Sequence, residues 1–435
     1  MTQATALKYF GALDALDSAT RIALLDRTTS VDPGIRATTS AILADVRTRS
    51  DTALRELAAR FDHVGLESLE VPREQWKVAL SVVPRDLRRA MERTVENIAS
   101  VHRAFLPAAT ETSPEPGIVV GRRPDPLGRV GVYAPGGRAA YPSSVLMGAV
   151  PARIAGVREI VVCSPPGPDG LPGAVVLAAA ELADADRVFA LGGAGAIAAL
   201  AFGTETVPRV DRIVGPGNAF VAEAKLQVSG MVSIDSPAGP SELLVIADAG
   251  ASPETVAREL LAQAEHDPRA CVVAVVEGAS MAAAVRDEIE RLLPAHERRT
   301  IIEAALAGQG AILWVDTLRE AVEWNNAYAP EHLLVCAADP GRWLPELRNA
   351  GTVFLGERAS VSFGDYMTGA NHVLPTGGLA RCYSGLSTVD FFRWTTYQHV
   401  DAAAAERLAL DVDAFARAEG LPGHAAAARA WAGEL

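Results

Sequence analysis

The chain has 435 residues, of which 49% are hydrophobic, 21% charged and only 6% aromatic, enough length for two or three domains and an ordinary globular composition. Forty Lys and Arg stand against 53 Asp and Glu, a formal net charge of −13, which repels phosphate backbones and anionic lipid and excludes nucleic acid and membrane as expected partners. The start of the chain lacks a secretory pattern, no uncharged stretch is long enough to span a bilayer, and Cys163, Cys271, Cys336 and Cys382 are isolated rather than paired, so a cytoplasmic protein is expected.

Ile42, Leu43, Val46, Leu54, Leu57 and Phe61 recur at spacings near three and four, as do Leu87, Met91, Val95 and Ile98, which predicts a helical segment over residues 1–115. Apolar runs at 118–120 and 130–133 flank Asp125-Pro126, a turn signal that predicts a β-hairpin near residue 125. From about residue 130, strand-like runs (160–162, 188–191) alternate with helix-like ones (174–182, 194–202). The rhythm repeats through 243–246, 256–264, 272–276, 281–293, 312–315 and 353–355. That is the pattern of β-α-β units around parallel sheets. The chain is therefore read as α/β, with two Rossmann-like doubly wound domains at 116–245 and 246–380 whose shared rhythm suggests a duplication. A turn-rich stretch at 360–381 interrupts the second, and an alanine-rich helical tail over 381–435, broken at Gly420-Leu421-Pro422-Gly423, closes the chain.

Three glycine clusters follow strand-like runs: Pro135-Gly136-Gly137, Gly192-Gly193-Ala194-Gly195 and Gly215-Pro216-Gly217-Asn218. Glycine lets backbone amides approach a phosphate at a helix N-terminus, and it serves tight turns in any α/β fold equally well. Gln263 and His266 lie three apart at the end of a predicted helix over 254–266, so both project from one face, as ion ligands or as solvated surface. Downstream come Glu331-His332 after Pro330, Asp365 with His372, and Glu419 with His424, carboxylate and imidazole groups suited to zinc or proton transfer. Pro330 and Glu331 fit a helix start equally well. His63, His102, His296 and His399 have no such company and are read as surface or packing residues.

Together these segments resemble histidinol dehydrogenase over nearly the whole chain. The resemblance rests on Tyr133-Ala134-Pro135-Gly136-Gly137, Tyr141-Pro142-Ser143-Ser144-Val145-Leu146-Met147, Val214-Gly215-Pro216-Gly217-Asn218, Ala238-Gly239-Pro240-Ser241-Glu242, Leu261-Ala262-Gln263-Ala264-Glu265-His266, Tyr328-Ala329-Pro330-Glu331-His332-Leu333 and Asn371-His372-Val373-Leu374-Pro375-Thr376. It implies a zinc site from Gln263, His266, Asp365 and His424, the last contributed by the other subunit of an interlocked homodimer. His332 is then the base for the alcohol and Glu331 helps activate water for the aldehyde. Ser241, His372 and Glu419 join the zinc residues and His332 in contacting substrate, while Tyr133, Asn218 and the region of Gly195 bind NAD. Many family members carry glutamine where this chain has Gly195. The implied reaction takes L-histidinol and two NAD to L-histidine through bound histidinal.

A paralogous zinc and NAD enzyme for another small polar alcohol, such as a sulfonated diol, shares much of this motif set. A zinc hydrolase in which Glu331 activates metal-bound water would need no nicotinamide, and a non-catalytic binding protein would show no turnover.

Overall fold

The computed structural model describes residues 7–27, 32–136 and 140–432; Gly137 of the first glycine cluster lies outside them. In chain order the strands are β1 (Tyr9–Ala12), β2 (Thr110–Thr112), β3 (Ile118–Pro126), β4 (Arg129–Tyr133), β5 (Glu159–Ser164), β6 (Arg187–Ala190), β7 (Arg212–Val214), β8 (Ser233–Ile234), β9 (Glu242–Ala247), β10 (Cys271–Glu277), β11 (Gly310–Val315), β12 (His332–Cys336), β13 (Thr352–Leu355) and β14 (Phe392–Val400). One sheet runs β6-β5-β4-β7-β8 and is parallel throughout. Counted from β4 its order is 3-2-1-4-5, that of a doubly wound domain. A second parallel sheet runs β1-β11-β10-β9-β12-β13 and, counted from β9, repeats the order 3-2-1-4-5 with β1 added at one edge. The α/β expectation and the internal likeness of the two halves are both visible here.

The strands read as unbroken apolar runs because each sheet is covered on both faces. In β9, Leu243, Val245 and Ala247 enter one core and Leu244 and Ile246 the other. Local chemistry starts the helices between them. The Ser252 hydroxyl accepts from Thr255 N, with Pro253 in the first turn, to begin the helix Pro253–Ala264. Glu320 accepts from Thr317 N at 2.9 Å to begin the helix Leu318–Tyr328.

The hairpin expected near residue 125 is absent. β3 runs straight through Asp125 and Pro126 and pairs antiparallel with β14 along its whole length and with β2 over Val120–Arg122, whereas β4 turns away into the first parallel sheet. Pro124 and Pro126 are tolerated because β2 stops at Arg122, leaving one side of β3 open where proline lacks a donor. The partner that overrides the local turn signal lies some 270 residues away, at Thr395 and its neighbours.

The ends of the chain are less purely helical than expected. β1 joins the second sheet beside β11, while the helices Pro33–Arg49 and Arg73–Val82 pack on the first domain. β14 precedes the tail helices Ala402–Ala418 and Pro422–Arg429. The boundary expected at 245/246 falls inside β9, so the crossover between the sheets lies at 235–241.

Candidate active site

Glu242 and His332 open the neighbouring strands β9 and β12, with His332 in register with Leu243. This is the switch point of the second sheet, at the amino ends of its strands. Neither residue of the Glu331-His332 pair starts a helix. The helix Leu318–Tyr328 ends just before them, its cap Ala329 in the left-handed region at φ 52°, and β12 begins with His332. In the first sheet Tyr133 and Gly215 stand at the opposite, carboxyl ends of β4 and β7, where open α/β sheets bind ligands. The two regions are linked by Asn371, whose amide donates to Met147 O at 2.7 Å in the helix Pro142–Ala155 that follows β4.

His332 is 3% exposed and Glu331 6%. The His332 Nδ1–H donates to the Glu242 carbonyl at 2.9 Å. A carbonyl only accepts, so this bond leaves Nε2 as the free ring nitrogen. Nε2 has no hydrogen-bond partner and stands 3.6 Å from Asp365 Oδ1. Glu331 Oε2 accepts from Glu242 N at 2.7 Å and lies 3.5 Å from His332 Nδ1. A single residue, Glu242, thus fixes both members of the pair through its own backbone. Burial raises the Glu331 carboxyl above its usual range, against the pull of His332. Burial lowers His332, but the Glu331 and Asp365 carboxylates outweigh it and raise the imidazole well above its ordinary value. Burial also raises Asp365, and the imidazole of His332, followed by the charges of His372 and His266, brings it below. His372 donates from Nδ1 to Asp365 O at 3.0 Å, and its own burial lowers it.

Glu331, His332, Asp365 and His372 are therefore brought together, and His266 is near enough for its charge to act on Asp365 and His372. Gln263 is buried on the last turn of the helix Pro253–Ala264, and His266, just past its end, is exposed. Ser241 sits half-buried beside Glu242, its carbonyl accepting from Cys271 N at 3.0 Å. Glu419 and His424 are exposed on the tail, whose two helices pack on each other. Among the described residues no three His, Cys, Asp or Glu side chains converge on a common ion position. The amide oxygen of Gln263, the imidazole of His266 and the carboxylate of Asp365 are nonetheless donor types that suit zinc.

On the other side, Tyr133 is 3% exposed and its hydroxyl accepts from Gly193 N at 3.1 Å. Burial pushes the phenol up to about 12, so it stays protonated with its O–H free to donate. Asn218 caps the helix Ala219–Val228: its carbonyl oxygen accepts from Phe220 N and Val221 N, which leaves its amide N–H group for a ligand. A side chain at Gly195 would meet Leu57 Cδ1 at 3.0 Å and Leu54 Cδ2 at 3.6 Å. What this position can offer a dinucleotide is its backbone, in the first turn of the helix Gly193–Phe202, where amides lack helical partners.

Three supporting groups carry no signal of function in the sequence. Lys225 donates to Gly215 O at 3.1 Å and pairs with Asp235, which accepts from Gly215 N at 2.8 Å. Between them they hold a glycine at φ 113°, where a Cβ would collide with the Tyr133 carbonyl. Arg27 is the third, buried against Glu242. Glu242 itself stands in the Gly239-Pro240-Ser241-Glu242 motif, but a motif does not reveal which member supplies its backbone.

A family model described as histidinol dehydrogenase matches residues 25–431. Histidinol dehydrogenase of Methanosarcina barkeri is 45% identical over 97% of this chain and 97% of its own, and that of Chromobacterium violaceum 47% identical over 93% and 94%. The crystal structure of histidinol dehydrogenase from Elizabethkingia anophelis matches with a TM-score of 0.94 at 31% identity, covering 99% of both chains. On these matches over nearly the whole chain, the chain belongs to the histidinol dehydrogenase family of oxidoreductases.

Proposed function

We propose that this protein is a zinc-dependent enzyme that oxidises L-histidinol to L-histidine through L-histidinal with two NAD, the closing steps of histidine biosynthesis. The observation that carries this reading is His332, with Nδ1–H tied to the Glu242 carbonyl and an unpartnered Nε2 facing Asp365. Gln263, His266, Asp365 and His424 of the partner subunit would hold zinc, which would supply a Lewis-acid anchor for the substrate's nitrogens, and bound NAD would supply the hydride acceptor.

An Asp365 carboxylate committed to zinc would no longer help hold the imidazole's proton, and His332 Nε2 would then take the hydroxyl proton in the first oxidation. Glu331, oriented by the Glu242 amide, draws a proton from the water that adds to the aldehyde. His372, Ser241 and the partner subunit's Glu419 orient the substrate. Tyr133 O–H, the Asn218 amide and the backbone near Gly195 hold the dinucleotide at the carboxyl ends of β4 and β7. A homodimer with shared sites accounts for a tail that carries His424 and presents Phe415 at 74% exposure and Trp431 at 67%. Four free cysteines fit a reducing cytoplasm, and no helix among the described residues is long and apolar enough to cross a membrane.

The test is NADH formation by zinc-loaded protein with L-histidinol beside other amino alcohols and sulfonated diols. Two NADH per histidinol are expected. Turnover of a diol with silence on histidinol would move the protein to a paralogous activity.

A further inference from the structure

Arg27 lies in the N-terminal segment, far in sequence from the reacting residues, and its side chain is 2% exposed. Its Nε and Nη2 donate to the two carboxylate oxygens of Glu242 at 2.9 and 3.1 Å. Nη2 also reaches Tyr328 O at 2.8 Å and Ala329 O at 3.4 Å, and the guanidinium lies 3.4 Å from the centre of the Tyr328 ring. These carbonyls end the helix Leu318–Tyr328, where a cation is favoured, and Ala329 is held in its left-handed conformation two residues before Glu331. Glu242 Oε1 further accepts from Gly377 N at 2.8 Å, in the loop that follows His372.

A single buried cation thus ties together the start of β9, the turn into Glu331-His332 and the loop after His372. Glu242 is the hub of this arrangement: its side chain faces Arg27, and its backbone N–H and C=O hold Glu331 and His332. We infer that Arg27 is a positioning residue for the dehydrogenase reaction. Through the Glu242 carboxylate and the Tyr328 and Ala329 carbonyls, it sets where the Glu331 carboxylate and His332 Nε2 stand relative to the substrate. Arginine is required because one planar fork must serve a carboxylate and two carbonyls at once; a lysine ammonium keeps the charge without that geometry. Arg27 is buried and its fork is filled by Glu242 and the two carbonyls, so its loss is expected to act on kcat and to leave substrate binding in place. This inference rests on the proposed oxidation of histidinol.

The experiment compares zinc-loaded, full-length wild type with Arg27→Lys, Arg27→Met and the double variant Arg27→Met/Glu242→Met, reading kcat, KM for L-histidinol, bound zinc and melting temperature. Removing Arg27 alone strands a buried carboxylate and is expected to lower the melting temperature; removing both charges restores it. The expected result is that the double variant recovers the melting temperature and zinc content of wild type, with KM within about threefold and kcat still down about 10²-fold, the scale on which small misplacements act. Arg27→Lys is expected between wild type and Arg27→Met in kcat. Recovery of kcat together with melting temperature would show that the pair only holds the fold and would overturn the inference. A rise in KM or loss of zinc with kcat unchanged would overturn it too. A wild-type enzyme inert towards histidinol would instead sink the proposed function, and the inference with it.

Discussion

His332 has one nitrogen committed to a backbone carbonyl and one left bare, which makes a clean substitution available. Asparagine can keep the donor towards Glu242 O while removing the proton acceptor, so His332→Asn is expected to lower kcat by about 10²- to 10⁴-fold with a melting temperature close to wild type. Wild-type turnover in that variant, measured by NADH formation, would remove His332 from the mechanism. A second histidine illustrates the opposite use of the same side chain. His102 is 1% exposed, and the Thr388 hydroxyl donates to its carbonyl at 2.8 Å, so its Nδ1–H must be the donor in the 3.0 Å contact with Thr388 Oγ1. Its Nε2 is buried without a partner, and burial lowers the imidazole to about 4. The unfolded chain takes up this proton near 6.5 and the folded protein only near 4, so the unfolded state binds more protons in between. Stability therefore falls as pH drops from 6.5 towards 4, by about 3 kcal/mol for this group, and is flat above. Denaturant unfolding at stepped pH should show this slope flattened in His102→Asn; an unchanged slope would assign the acid sensitivity elsewhere.

At the scale of elements, the glycine loop after β7 is built from its neighbours rather than from itself. Lys225 and Asp235 hold Gly215, and Asn218 closes the loop by capping the helix Ala219–Val228. The amide of Asn218 does two jobs with two different atoms, and substitution can separate them. Aspartate keeps the capping oxygen and lacks the N–H donor; alanine lacks both. Asn218→Ala is expected to cost about 1 kcal/mol of stability and Asn218→Asp almost none, whereas both raise KM for NAD. If Asn218→Asp leaves KM for NAD unchanged, the residue is a cap and no more. The loop was legible as a glycine cluster, but the buried ion pair behind it was not, because Lys225 and Asp235 look in the sequence like any solvated charges.

On the scale of the whole molecule, the N-terminal segment spans both domains, with β1 and Arg27 on the second sheet and the following helices on the first. The tail behaves differently: it follows β14 and ends in a helical hairpin that exposes Phe415, Leu421 and Trp431 and carries His424. The hairpin is braced internally by Asp413, which pairs with Arg429 at 2.6 Å and with Arg417 at 3.1 Å. If the tail completes the site of a partner, inactive His266→Ala and His424→Ala subunits should complement each other. A mixed dimer holds one intact site of two, so random exchange is expected to restore about a quarter of wild-type activity. No recovery, with exchange verified by native mass spectrometry, would remove the shared site.

By itself the sequence determined the α/β class, the repeated rhythm of two parallel sheets, and the residue types at Gln263, His266, Glu331, His332, Asp365 and His372. These follow from short-range periodicity and from local motifs, which a single chain displays directly. Tertiary structure alone decided that β3 pairs with β14 instead of turning back on β4, that Glu331-His332 opens a strand instead of a helix, and that β1 edges the distant second sheet. It also decided that Gly195 faces Leu57 and that Arg27 stands behind Glu242. Each of these depends on pairing or packing between segments far apart in sequence, where the free energy of burial and hydrogen bonding outweighs the local preference that a linear pattern records.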